Sequence, residues 1–218
     1  MSRKGDHDIR KQQIRAAAVR CFVQRGFSAT RLIDIADRAG LSKGGVYFYY
    51  RTKEALFEAV LAARQADIEH RWGPQESGER PEYALERLVA LHLRQIEDEI
   101  DDTRLGQMLA TMAPRDDAYR HQLERALAVI TASYRRVIAQ GVSEGVFAGD
   151  PDQLASLVVA MVSGLATQCA ADPDGRLHLS PRIACSAVLS IVEGGARAPL
   201  GRHTNVRDHE PSQPSLQS

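Results

Sequence analysis

Apolar residues recur along most of this chain at spacings of three and four, which gather them on one side of a helix. No convincing strand pattern interrupts them, and the expectation is an all-α protein. A first helix is expected over about residues 8–25, with Ile14, Ala17, Ala18, Cys21 and Phe22 on one face. Gly26 should stop it, and Phe27 supplies the apolar contact that follows a glycine cap. Leu32, Ile35, Ala36 and Ala39 form the apolar face of a short second helix, capped by Thr30 and ended by Gly40. Leu41 fills the corner, and Ser42 caps a third helix of barely two turns over residues 43–50. Thr52, with Glu54 and Glu58 in the first turns, starts a long helix through Ala55, Leu56, Ala59, Val60 and Ala63 to Trp72.

Residues 73–80 hold Gly, Pro, Ser and charges without periodicity and read as a loop. Beyond it the pattern predicts helices at 81–97, at 103–112 with a stop at Pro114, and at 116–144. Asp150-Pro151-Asp152-Gln153 combines a cap, a Pro at the first helical position and a Gln three residues after the cap, so another helix starts there. Ser180-Pro181 starts the last one, which Gly194-Gly195 ends. From about residue 198 the chain turns to Pro, Ser, Gln, His and Arg, and disorder is expected. The resulting division is a small N-terminal helix-turn-helix domain at 1–52, a helical bundle at 53–197 and a disordered tail at 198–218.

The apolar spacing of the long helix runs well past what a small domain can cover, so its upper half is expected to pack on the bundle as a lever between the two. Residues 154–171 carry no charge at all. About 20 apolar residues suffice to span a bilayer. Ser156, Ser163, Gly164, Thr167 and Gln168 dilute this run, however, and no aromatic belt or Lys/Arg-rich flank accompanies it, so a membrane is not expected. A helix apolar nearly all round is instead covered on both sides, by the bundle and by a second subunit. A homodimer through residues 154–171 and 180–193 follows, with Val159 and Val188 expected on the contact face.

Charge sharpens this picture. The chain of 218 residues has no formal net charge, but residues 1–55 carry 12 Lys and Arg against 5 Asp and Glu, and the remainder 16 against 23. A positive segment on a negative body suits a polyanionic partner at one end only. Arg3 and Lys4 suggest an arm that touches phosphates or the minor groove, or a plain disordered terminus. Three cysteines in no close pair indicate neither a disulfide framework nor a metal site, and the charged N-terminus lacks a secretory pattern. A reducing cytoplasm fits.

Two short helices joined by a glycine turn also make an ordinary structural corner. Here the second of them is crowded with Lys43, Tyr47, Phe48, Tyr49 and Tyr50, its glycines Gly44 and Gly45 permit close backbone approach to a phosphate, and it lies in the positive segment. The run Gly40-Leu41-Ser42-Lys43-Gly44-Gly45-Val46-Tyr47-Phe48-Tyr49-Tyr50-Arg51-Thr52-Lys53-Glu54-Ala55-Leu56 resembles the signature of the TetR family of bacterial transcriptional repressors. The resemblance covers residues 9–57. It implies an N-terminal domain that binds double-stranded operator DNA, a larger domain that binds a small molecule, and a dimer made by the last two helices. Carried over residue by residue, Tyr47 and Lys53 resemble phosphate contacts, Ser42 and Thr30 helix-start caps near the DNA backbone, and Lys43 a groove-facing cation. Gly45, Phe48 and Arg31 depart from the family pattern: Phe48 is left to meet a thymine methyl and Arg31 to add a phosphate contact.

Candidate effector contacts are Met108, Met112, Tyr119 and Met161 near His92 and Gln168, an apolar or amphipathic set beside the lever. His92 lies on an apolar face, where a hydrogen-bonded core role competes with ligand contact. Few charges are expected inside, which disfavours a large polyanionic effector. The seven histidines are scattered, with no His-x-x-x-His, phosphate loop or serine elbow, so no catalytic group, metal or cofactor is assigned. The reading is a repressor released by a small effector. A small-molecule-binding or enzymatic helical protein with a vestigial helix-turn-helix, and an effector-independent DNA-binding regulator, stay open.

Overall fold

A computed structural model describes residues 3–73 and 78–194, so the tail expected to be disordered lies outside the described residues. Among the described residues every regular element is a helix. Helix α1 (Arg3–Ala29) begins before the predicted start, and its backbone is helical where an arm at residues 3 and 4 was expected. At Gly26 it leaves helical geometry, with φ 78° and ψ 160°, so the predicted stop is a kink followed by one more turn. Helix α2 (Leu32–Ala39) ends at Gly40 in the left-handed region, φ 65°, and the Leu41 N–H closes the turn on Ala36 O at 2.9 Å. Helix α3 (Lys43–Tyr49) is capped by Ser42, whose Oγ accepts the Gly45 N–H at 3.1 Å. Helix α4 (Lys53–Trp72) is capped by Thr52 in the same way through the Ala55 N–H at 3.1 Å.

The cap assigned to Thr30 is corrected. Thr30 is 1% exposed, and its hydroxyl donates to the carbonyls of Gly26 at 2.8 Å and Cys21 at 3.1 Å. It ties off the kinked end of α1, whose freed carbonyls need donors. The residue at the start of α2 is Arg31, whose backbone N–H donates to Asp34 Oδ2 at 3.0 Å.

The body comprises α5 (Pro81–Asp98), α6 (Ile100–Met112), a 3-10 turn at Ala113–Arg115, α7 (Asp117–Ser143), α8 (Pro151–Ala171) and α9 (Pro181–Gly194). Asp116 and Asp150 cap α7 and α8 with their carboxylates, as Asp150-Pro151 foretold for the latter. Helix α6 starts three residues ahead of the apolar pattern because Glu99 turns the chain directly from α5 into it.

Two apolar cores result, and α4 serves both. The lower one joins Ile14, Phe22, Ile35 and Val46 of the small domain to Leu56, Phe57 and Val60 of α4 and to Leu105 and Leu109 of α6. The upper one joins Ile68 and Trp72 of α4 to Leu85, Val89, Tyr134, Val158 and Val188. Each fully buried aliphatic or aromatic side chain contributes about 1.5–3 kcal/mol. The lower core therefore runs through the boundary placed at residues 52 and 53. Between the cores α4 passes a polar seam: Arg64 pairs with Asp102 at 3.1 Å, Gln65 Nε2 donates to Glu69 at 2.8 Å, and Gln122 Nε2 donates to Leu61 O at 3.1 Å.

Helix α8 is long and apolar enough to cross a bilayer by length and composition. Its Leu154, Val158, Val162, Leu165 and Cys169 are buried in the upper core, while Leu157 stays 50% exposed on a stripe continued by Ala160 and Gly164. On α9 Ile183 is 54% exposed. Val159 and Val188, expected on the contact face, are at 8% and 0% exposure and pack inside the subunit. The exposed apolar residues of these helices, Leu157 and Ile183, thus lie on a different side from the two residues chosen for the contact face.

Candidate nucleic-acid interface and a cavity in the body

Helix α3 is held from behind by two apolar anchors, Val46 inside the lower core and Tyr50 just after its last turn. This leaves Lys43, Gly44, Tyr47 and Phe48 on the outer side. Phe48 is 71% exposed, an apolar ring held in water on a seven-residue helix. Lys43 Nζ lies 5.5 Å from the Tyr47 ring centroid, so the cation and the phenol share one side. Tyr49 rests on His7 of α1, ring centroids 4.7 Å apart, and Phe48 meets the same imidazole edge-on at 6.5 Å. His7 was not singled out from the sequence: a lone histidine 41 positions before Phe48 gives no local signal, and only the packing of α1 brings it there.

The cations differ in availability. Arg31 is exposed and gripped by Asp34, with guanidinium to carboxylate distances of 3.0 and 3.2 Å, and this hydrogen bonding holds the Asp34 pKa down at about 2. Lys53 donates to the carbonyls of Phe27 at 2.8 Å and Ser28 at 3.1 Å, with Nζ 4.5 Å from the Phe27 ring. It closes the last turn after the Gly26 kink, the role a cation takes at a helix C-terminus. Of the nine residues predicted to face DNA, Thr30 is withdrawn into the core, while Arg31, Ser42, Lys43, Gly44, Tyr47, Phe48, Tyr49 and Lys53 surround α3 and its approaches.

The body holds a cavity of about 510 Å³ between the last turn of α4, α5 and α7, open to solvent along a rim where Arg87, Leu91, Arg94 and Arg136 are exposed. Trp72, Leu88, Leu91 and Val137 form its apolar wall, and Arg94, Gln95, Arg136 and Gln140 its polar side. Arg71 on the same wall donates to Glu99 at 2.6 Å and also pairs with Asp67. Arg87 pairs with Glu79 at 3.0 Å. The expectation of few charges is thus corrected: four arginines and the carboxylates of Asp98 and Glu99 line this space.

The predicted effector set does not converge. Met108, Met112 and Tyr119 pack on the lower core, where Tyr119 meets Phe57 edge-on at 5.7 Å. Met161 packs on the upper core, and Gln168 is exposed on α8. His92 alone adjoins the cavity, from behind Trp72: their rings are 4.5 Å apart, and His92 Nδ1 shares a hydrogen bond with Tyr134 Oη at 3.1 Å. Burial lowers the His92 pKa to about 4 and pushes the Tyr134 phenol up, so both stay neutral near pH 7. Methionine at helical spacing marks adaptable packing wherever it falls, and Met108 and Met112 supply it where α6 meets the lower core. The spacing of Leu88, Leu91 and Gln95 beside Arg87 and Arg94 on α5 was the signal for the cavity wall.

Comparison with known proteins agrees with this architecture. Residues 14–60 match the family described as bacterial regulatory proteins of the tetR family, and residues 81–190 match the C-terminal domain of BetI-type transcriptional repressors. The HTH-type transcriptional regulator TtgR of Pseudomonas putida is 26% identical over 171 residues, 75% of this chain and 81% of that one. The regulator RutR of Escherichia coli is 48% identical over 52 residues, 24% of each chain. A transcriptional regulator from Saccharomonospora viridis, solved in complex with choline, superposes with a TM-score of 0.70 at 22% identity, covering 84% of this chain and 95% of that one. The N-terminal helices and the helical body are those of a DNA-binding helix-turn-helix regulator, and the chain belongs to the TetR family of bacterial transcriptional regulators.

Proposed function

We propose that the protein is a cytoplasmic homodimeric repressor that leaves its operator when a small effector fills the cavity between α4, α5 and α7. The observation that carries the reading is the double duty of α4. Its first turns complete the core behind α3, its last turn supplies Trp72 to the cavity, and about 30 Å of helix joins the two. The polar seam around Arg64 and Gln65 gives this rod a place to shift, since Gln65 Oε1 is buried without a partner among the described residues. A filled cavity favours one pose of α4 and DNA the other, so the two ligands compete through one equilibrium.

The dimer reading rests on the uncharged exposed stripe of Leu157, Ala160 and Gly164 on α8 and on the exposed Ile183 of α9. Two subunits related by a two-fold axis present two α3 helices, and an imperfect palindrome is the matching DNA. On α3, Lys43 and Phe48 are assigned to the groove, Tyr47 to phosphate, and Arg31 to phosphate once Asp34 releases it. The Saccharomonospora viridis regulator of the same fold is in complex with choline, which supports a small organic ligand as the class of effector.

The test is operator affinity, by fluorescence anisotropy, with and without fractions of a bacterial small-molecule extract. At least one fraction should weaken binding by about five- to 150-fold. Leu88→Trp, which extends a ring into the cavity, should blunt that response while the protein still binds DNA. If no fraction changes the affinity of the unaltered protein, release by an effector is wrong and constitutive binding remains.

A further inference from the structure

We propose that the cavity takes a monoanionic amphipath, an organic carboxylate with an apolar tail, whose head is held between Arg94 and Arg136. This inference rests on the effector reading above and names the ligand class for it. Of the four arginines on the wall, Arg71 and Arg87 are engaged by Glu99, Asp67 and Glu79. Arg94 of α5 and Arg136 of α7, both solvent-exposed at the mouth of this space, make no hydrogen bond or ion pair with any described residue. A guanidinium that the protein leaves unpaired beside an apolar wall is suited to a planar oxyanion, which it binds through two parallel N–H donors.

The tail follows from the apolar side chains that line the same space. Trp72, Leu88, Leu91 and Val137 offer apolar surface without a hydrogen-bond acceptor, and a volume of about 510 Å³ lies within the usual range for small organic ligands. The two carboxylates set the upper limit on charge. Asp98 and Glu99 stand on the same wall, so a second negative charge meets repulsion that one head group between the arginines avoids. A quaternary ammonium is disfavoured for the converse reason. The wall offers a cation the rings of Trp72 and His70 and the carboxylate of Asp98, but four guanidiniums stand there against two carboxylates and repel it.

Four probes of matched size separate the alternatives: decanoate, decanol, decyltrimethylammonium and, for the head alone, acetate, each below its micellar concentration. Binding is read by calorimetry and by emission of Trp72, the chain's single tryptophan. Decanoate should bind, acetate should bind far more weakly, and decanol and the ammonium should each be about tenfold weaker or worse. R94Q and R136Q should each weaken decanoate by about tenfold, and the double variant should abolish the preference for the anion. Unchanged operator affinity and helical circular dichroism in both variants exclude misfolding as the cause. Equal binding of decanol or of the ammonium, undiminished decanoate binding by the double variant, or no binding of any probe each overturns the proposal. If decanoate binds through the arginines but leaves operator affinity untouched, the ligand class stands and the effector reading fails. If the neutral or cationic probe releases the operator instead, the effector reading stands and the ligand class fails.

Discussion

Acidification should destabilise the body through one side chain, His92. Its imidazole is enclosed by Trp72 and Tyr134 and has a pKa near 4, against 6.5 for an exposed histidine. The folded-state value is depressed, so the native protein binds fewer protons than the unfolded chain wherever the two differ. The stability this neutral imidazole confers is complete above pH 6.5 and is lost as pH falls towards 4. Integrated from pH 7.5 to pH 5 the loss is about 2 kcal/mol per subunit, and it saturates at about 3 kcal/mol below pH 4. Carboxylates also titrate in that range, and the variant His92→Gln isolates the histidine's share. Urea unfolding followed by Trp72 emission, at one protein concentration and at both pH values, gives the four stabilities required. The unaltered protein should lose about 2 kcal/mol more between pH 7.5 and 5 than His92→Gln does. Equal losses would mean that His92 takes up its proton in the folded state without penalty, and the packing of Trp72, His92 and Tyr134 would not be what keeps it neutral.

Other substitutions test other parts. Lys53→Ala should cost about 1–3 kcal/mol in urea unfolding, because the carbonyls of Phe27 and Ser28 lose their donor; unchanged stability with uniformly weaker DNA binding would return Lys53 to a purely phosphate-binding role. Leu157→Arg or Ile183→Arg should give folded monomers by light scattering, whereas Val188→Arg should unfold the subunit; monomers are not expected to need the core. Thr30→Val should destabilise by about 1 kcal/mol while sequence preference stays the same, and a shift in preferred DNA would contradict its burial. Operator affinity should fall steeply with salt, with Phe48→Ala altering preference more than the slope.

The helices were legible because each was announced by local chemistry. Asp150-Pro151, Ser42 and Thr52 cap where their side chains predict, and Gly40 takes the left-handed turn that a corner needs. Which side of a helix faces which neighbour was harder. Val159 and Val188 belong to stretches that are apolar nearly all round, so periodicity gives no phase, and only the packing of α8 and α9 on the body decides that Leu157 and Ile183 are left outside. Thr30 and Arg31 were exchanged for a similar reason: Thr is the better cap by type, but the carbonyls exposed by the kink at Gly26 claim its hydroxyl. The cavity escaped notice because its polar side is arginine, a residue that from sequence alone reads as solvated surface, whereas Met108 and Met112, which looked like a pocket, pack on the lower core and Met161 on the upper one.

The central claim is that a dimer of this chain reads DNA through two copies of α3, and selection of bound duplexes from a random library by the purified protein tests it most directly. The recovered duplexes should share an inverted repeat whose half-sites are centred about 34 Å apart or farther, and Lys43→Ala should change the half-site that is recovered. Recovery of duplexes without a shared repeat, or of single half-sites at the same frequency as pairs, would contradict the account.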